Sequence, residues 1–373
     1  MTDHPAWLMY GPDAAQTSAV DGSGPSETVV VSSLFESEHR LSGPVSADGT
    51  LYFGERGLPR DDTYVYAIAT SDGSERWNAA VDSIDAHSLA IADDKLIVVE
   101  SHDPFDTDSE NAGAVTALNR RTGAIQWQTE TSDCILAAPT VVDDTVYVGC
   151  HDQTLYAIDV YSGDIRWSYE TLGDIFSPPA VADETVYVGG GKYVYAIDAA
   201  DGTRKWWFET NDHDLFDAPP ASATRNAIAV TDGTAYVGSG DGLLYALDAQ
   251  TGTVDWHFQP AKVNTTSGVP AITSSPAVAD GAVYFATAGD ELYSVSADSG
   301  SEQWSVDVPH SGDARPLVTD EMLYLGAGVL RGFDRDTGAE QWQTTTIRGA
   351  QTPILLDDTL YVPGNDKTVY TVR

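Results

Sequence analysis

Positive charge is scarce in this chain. Nineteen Lys and Arg, only five of them Lys, face fifty-seven Asp and Glu, for a formal net charge of -38 over 373 residues. A field of that sign repels phosphate backbones, so nucleic acid drops out as a partner and basic ones are favoured. The acid is spread along the whole sequence and forms no tail. In roughly 1 M salt the screening length falls to about 3 Å, which relieves such self-repulsion. The composition therefore reads as that of a halophilic protein.

Long apolar runs are missing too. None approaches the ~20 residues of a membrane-crossing helix, so membrane insertion is not expected. The opening Met1-Thr2-Asp3-His4-Pro5 has neither the basic region nor the apolar stretch of a signal peptide. As written, this places the chain in the cytoplasm; a leader removed ahead of Met1 would place it outside the cell or on its surface.

Cysteine is nearly absent. Cys134 and Cys150 cannot build a disulfide framework. They flank a hairpin turning at Asp143-Asp144, where the residue opposite Cys150 falls near Ala137. That is about three residues out of register for a cross-strand bridge, and two buried free thiols are expected. Nor is there a nucleophile elbow, a zinc-spaced His/Cys set or a phosphate-cradling glycine loop.

Repetition is what the chain has in abundance. Tyr156-Ala157-Ile158-Asp159, Gly163 and Trp167 return as Tyr195-Ala196-Ile197-Asp198, Gly202, Trp206 and as Tyr245-Ala246-Leu247-Asp248, Gly252, Trp256. Weaker copies end in Gly73/Trp77, Gly123/Trp127, Gly300/Trp304 and Gly338/Trp342, always with Trp four residues after Gly. Ahead of each phrase an apolar run turns at Asp and continues as Val-Tyr-Val-Gly or similar. These turns begin at Asp48, Asp93, Asp143, Asp183, Asp232, Asp280, Asp320 and Asp357. β-Branched and aromatic residues alternate within the runs, and Asp-Gly, Asp-Asp or Thr-Gly punctuates them, so each unit reads as four strands.

A lone four-stranded unit cannot bury both faces, so the copies stack around an axis. The fold class expected is all-β, an eight-bladed β-propeller of four-stranded antiparallel blades. The seven Trp (Trp77, Trp127, Trp167, Trp206, Trp256, Trp304 and Trp342) dock its blades structurally, each removing roughly 150–250 Å² from water. Eight turns but seven Gly-to-Trp segments leave the last unit incomplete at Arg373. A spare strand at Thr28 to Phe35 supplies the missing piece and closes the ring without an open edge. The domains expected are residues 1–27, an N-terminal segment packed on the propeller, and 28–373, the propeller itself. A closed ring demands no edge pairing, which suits a monomer.

The long connections, 55–63, 101–113, 211–226 and 260–274, all fall on one face, marking it for binding. Within them Asp103, Asp106, Asp108 and Glu110 offer oxygen ligands to calcium without EF-hand spacing; a solvated acidic loop is the plainer reading. His213 and Phe216 sit at another loop tip, where an apolar side chain can anchor a partner or tuck into its own loop. Asn264-Thr265-Thr266 is a glycosylation sequon, relevant to an exported chain. First strands line the channel, and aligning them on their turns brings Arg315, Arg225 and Asp313 to channel positions, with His87 one residue off that face. An anionic ligand on the two Arg, or an Asp313–Arg315 pair, are the alternatives.

The Tyr-Ala-Ile/Leu-Asp…Gly-x-x-x-Trp motif resembles the tryptophan-docking, or PQQ, repeats of the quinoprotein propeller family over essentially residues 28–373. In length it is most similar to the BamB-type scaffold propellers, and Trp7-Leu8-Met9-Tyr10-Gly11-Pro12-Asp13 is similar to an opening element of archaeal repeat proteins of this kind. The resemblance implies, for the family's enzymes, PQQ with calcium in the channel, an Asp base, a Trp floor and an adjacent Cys-Cys pair. This sequence has no Cys-Cys dipeptide, and seven of its nine Trp belong to the repeat. The reading is therefore a non-catalytic scaffold without cofactor, binding a protein partner through the long-loop face. A PQQ- or small-ligand-binding protein and a glycan or cell-surface recognition module are the alternatives.

Overall fold

The computed structural model describes residues 7–9, 11–56, 63–81, 84–101, 113–210, 226–261, 271–311 and 314–373, with the backbone alone for 56 and 84–88. Seven blades follow one another along the chain at 40–81, 84–131, 140–170, 180–209, 229–258, 277–307 and 317–344. The eighth combines 354–372 with the N-terminal strand Val31–Glu36. Each is an antiparallel sheet whose first strand is innermost, and no helix occurs among the described residues.

The turn residues explain the tight reversals. Seven of the eight Asp (Asp48, Asp93, Asp143, Asp183, Asp232, Asp280 and Asp357) adopt φ between 44° and 53°. Asp enters this left-handed region more readily than most residues, and the resulting twist matches that of the flanking strands. Asp320 departs from the row. There the Thr319 hydroxyl accepts from Met322 N (3.1 Å), and the Asp320 carboxylate accepts from Gly22 N (3.2 Å).

The Gly-to-Trp spacing builds the joints between blades. In blades 1 to 7 the pairing of third and fourth strands slips by one residue just before the Trp, as at Ala157↔Trp167 and Ile158↔Ile165. Such a bulge re-aims the side chain that follows it. The indole then lies over the glycine of the next blade: a Cβ on Gly202 would sit 2.8 Å from Trp167, and one on Gly252 2.6 Å from Trp206. Each indole Nε1 also donates to a backbone carbonyl of the following segment, from Trp127 to Val160 O (2.8 Å) to Trp342 to Pro25 O (2.9 Å). In most blades the second-strand Tyr adds a bond to the same oxygen. Tyr187 Oη and Trp206 Nε1 both donate to Ala249 O, at 3.0 and 2.9 Å. Between these joints lie apolar clusters that span neighbouring blades, such as Leu155 and Ala157 against Val186, Val188 and Ile197.

The ring closes as the strand count requires. Val31–Glu36 pairs with Thr368–Val372, and Val30 and Arg373 exchange backbone bonds of 2.9 and 3.1 Å. By register Ser32, opposite Thr371, holds the place of the Trp elsewhere. Gly73 of blade 1 is instead met by the Leu34 carbonyl, while Phe35 packs on Phe53 (5.2 Å) and Tyr66 (5.4 Å).

Both cysteines are buried free thiols, as expected, but their register is not. The innermost strand of blade 3 begins only at Thr140, after Pro139, and the chain before it leaves the ladder. Cys134, not Ala137, then faces Cys150: His151 N donates to Cys134 O (3.0 Å), and Cys150 Sγ lies 3.4 Å from that oxygen. Burial pushes the thiols up to about 11 for Cys134, with a further push from Asp133, and about 12 for Cys150.

Candidate functional site

The innermost strands leave backbone N–H groups pointing into the channel, and such groups need partners. The N-terminal segment supplies them. Ser46 N donates to Trp7 O (2.6 Å) and Ile91 N to Leu8 O (2.6 Å). Val181 N, Val230 N and Val278 N donate to Ala14 O, Ala15 O and Thr17 O at 2.7, 2.9 and 2.7 Å; Val318 N donates to Ser18 O at 3.0 Å. All six donors stand two residues before their turn Asp. One segment thus crosses the channel and is bonded through its backbone to blades 1, 2, 4, 5, 6 and 7. Gln16 Nε2, donating to Thr140 Oγ1 (3.3 Å), adds the third blade.

This crossing decides the fate of Arg315. Its side chain is buried, with Nη1 donating to Gln16 Oε1 (2.9 Å), Nη2 to Gln16 O (2.9 Å) and Nε to Ser18 Oγ. Gln16 and Ser18 adopt φ of 61° and 59°, and Asp13 pins the bend by accepting from Thr17 N (3.2 Å). Gly11 packs directly on the pair, since a Cβ there would sit 2.7 Å from Gln16 Oε1 and 2.8 Å from Arg315 Nη2. Burying a guanidinium costs several kcal/mol unless its donors are met, and this segment meets them.

Of the other residues singled out from the sequence, Arg225, Asp313, His213, Phe216, Asp103, Asp106, Asp108 and Glu110 lie outside the described residues, as does the side chain of His87. The structure therefore brings Arg315 together with Gln16 and Ser18. The pairing with Asp313 or Arg225 falls outside what is described.

The strand order places the long connections at one end of the blades, because second-to-third and blade-to-blade links leave an antiparallel sheet on the same side. At the base of two of them stand buried carboxylates that sequence reasoning missed. Glu55 accepts from Ser37 Oγ, and Glu100 accepts from Thr116 Oγ1 and from Gln128 Nε2 (3.3 Å). The signal was available, since only in these two blades does a Glu stand one residue before the end of the second strand. Also missed was His151, whose ring meets Phe176 edge-on at 4.3 Å; its Nε2 is buried without a partner among the described residues.

The PQQ and calcium that the family's enzymes use can be tested against these residues. Among the described residues no group of three His, Cys, Asp or Glu could hold a metal ion. Arg315, the described channel cation, is engaged by the N-terminal segment. The described residues do not fit the group.

Solved structures place the fold. BamB from Moraxella catarrhalis superposes with a TM-score of 0.66 at 19% identity, over 92% of this chain and 98% of the other. A europium-containing methanol dehydrogenase gives 0.77 at 16%, over 97% and 89%. The quinohemoprotein alcohol dehydrogenase from Comamonas testosteroni gives 0.74 at 16%, over 99% and 80%. These neighbours are a BamB and two dehydrogenases, and at such identities the likeness shows the fold alone. Among curated proteins none matches by sequence. The family model of the outer membrane protein assembly factor BamB matches residues 19–130, 111–280 and 259–373, the repeat and the closing strand alike, and the chain belongs to that family.

Proposed function

We propose that this propeller is a non-catalytic scaffold that binds a protein partner through the face carrying the long connections. The observation that carries the reading is the N-terminal segment, bonded to six blades across the channel and to the guanidinium of Arg315. It takes up the polar groups with which a channel ligand would otherwise be held. The opposite face is left with connections of unequal length, the part of a repeat protein that varies with its partner. The likeness to BamB and membership of the family of that assembly factor agree with a partner-binding role. The acidic surface favours a basic partner and a working medium of high salt.

The test uses the full chain in high salt. A pull-down should recover a protein partner that is lost when 101–113 or 211–226 is trimmed and kept when 1–6 is removed. Titration with PQQ and calcium should give no saturable absorbance change. Saturable binding with dye-linked alcohol oxidation would replace the scaffold with a quinoprotein enzyme.

A further inference from the structure

Because the eight joints repeat, each is a control for the others, and one differs in charge. Between blades 1 and 2, on the tight-turn face, lies a cleft of ≈ 240 Å³ lined by Asp48, Thr50, Tyr52, Trp77 and three guanidinium groups, Arg76, Arg120 and Arg121. The corresponding cleft between blades 8 and 1 carries Asp357 and Asp358 against Arg373 alone. Where blade 2 presents Arg120-Arg121 at its turn, blades 4, 5 and 6 present Ala199-Ala200, Ala249-Gln250 and Ala297-Asp298, and blade 7 presents Arg335-Asp336, its Arg on Asp280 and its second cation replaced by an acid. In a chain with nineteen cations and fifty-seven acids, three Arg in one cleft against one carboxylate stand out.

Two of the three are held in place. Arg76 Nη1 donates to Thr50 Oγ1 and Nη2 to Gly49 O (3.1 Å), while Arg120 Nη2 meets Asp48 at 2.7 Å. Arg121 is exposed at the rim and forms no ion pair among the described residues. The remaining acids nearby are committed elsewhere. Asp94 pairs with Lys95 (2.9 Å), and Asp72 accepts from Ser74 N (2.9 Å) and Oγ (2.6 Å). Arg76 and Arg120 are thus fixed beside a cleft lined by Tyr52 and Trp77, with the Arg121 fork open to an oxyanion and their positive charge turned to the same space.

We propose that this cleft binds a small oxyanion, a phosphate or a short dicarboxylate. Its volume lies below the roughly 300–1,000 Å³ of pockets for drug-sized ligands, which favours an anion with few carbon atoms over a nucleotide or a quinone. The site is on the face opposite the long connections, so it stands or falls independently of the scaffold reading. A chain of net charge -38 repels anions at a distance, and about 1 M salt confines that repulsion to roughly 3 Å, leaving contact with the guanidinium groups to decide.

Calorimetric titration of the full chain in high salt, with inorganic phosphate and with succinate as probes, tests this. At least one probe should saturate, and which one does identifies the ligand's acid group. Arg121→Gln and Arg76→Gln should each weaken it by about tenfold or more. Arg373→Gln, in the acidic cleft, should leave it unchanged. The thermal midpoint of Arg121→Gln should equal that of the parent, since this side chain holds nothing else. Absence of saturation with both probes, or an affinity in Arg121→Gln and Arg76→Gln equal to that of the parent, overturns the proposal.

Discussion

Gly252 and Gly281 have nearly the same backbone, φ +72° and +75°, but different surroundings. A Cβ on Gly281 would meet nothing within 4 Å, whereas one on Gly252 would press on the Trp206 ring at 2.6 Å. Alanine at 281 bears only the left-handed penalty, about 1–2 kcal/mol. Alanine at 252 adds overpacking of about 1–3 kcal/mol against a ring that is itself held by Ala249 O. Urea midpoints in high salt should therefore fall further for Gly252→Ala than for Gly281→Ala. Equal losses would mean that the glycine serves only its own turn and not the docking of the neighbouring blade. The Gly-x-x-x-Trp spacing was legible because it is local and repeated. That the indole would cover the next blade's glycine was not, because the bulge before it reverses the direction expected from simple alternation.

Among the elements, the N-terminal segment changed most between sequence and structure. Its run of small residues, Gly11, Ala14, Ala15, Ser18 and Ala19, suits a narrow channel, yet such residues are common in loops and carry no periodic signal. Only the ring of inner strands, with backbone donors aimed at a common axis, gives the segment its place. Gln16→Leu measures that coupling. It removes the acceptor of Arg315 Nη1 and the donor to Thr140 while keeping the volume. Leaving a buried donor unmet costs about 1–3 kcal/mol, and more when the group is charged. Thermal unfolding of Gln16→Leu should show a loss of that size, and Arg315→Leu in the same background should recover much of it. Failure of the second change to recover stability would show that Arg315 is satisfied by other neighbours. The closing strand behaved differently. Its count was legible from the missing eighth segment, though its joint to blade 1 uses Leu34 and Phe35 where the others use Trp.

For the molecule as a ring, charge predicts a dependence of stability on salt. Fifty-seven acids on one chain repel one another over about 10 Å at 0.1 M salt and over about 3 Å at 1 M. The described ion pairs do little to offset this, since most have at least one exposed member, as in Arg120–Asp48, and solvent screens such pairs to about 1 kcal/mol or less. The thermal midpoint should rise steadily with potassium chloride from about 0.1 M to above 1 M. A midpoint independent of salt over that range would remove the halophilic reading. Sodium chloride should act much as potassium chloride does, because screening depends on ionic strength and not on the cation bound.

Blade number, strand order and ring closure were written in the chain. Turn chemistry and the Gly-to-Trp spacing act over a few residues, and seven copies of each repeat the same instruction. The content of the channel and the sign of each cleft between blades came only from the folded ring. Arg315 meets Gln16 across 299 positions, and Arg120 meets Asp48 across 72. No local pattern encodes such partners, because the stacking of blades and the passage of the N-terminal segment through the channel bring them within bonding distance.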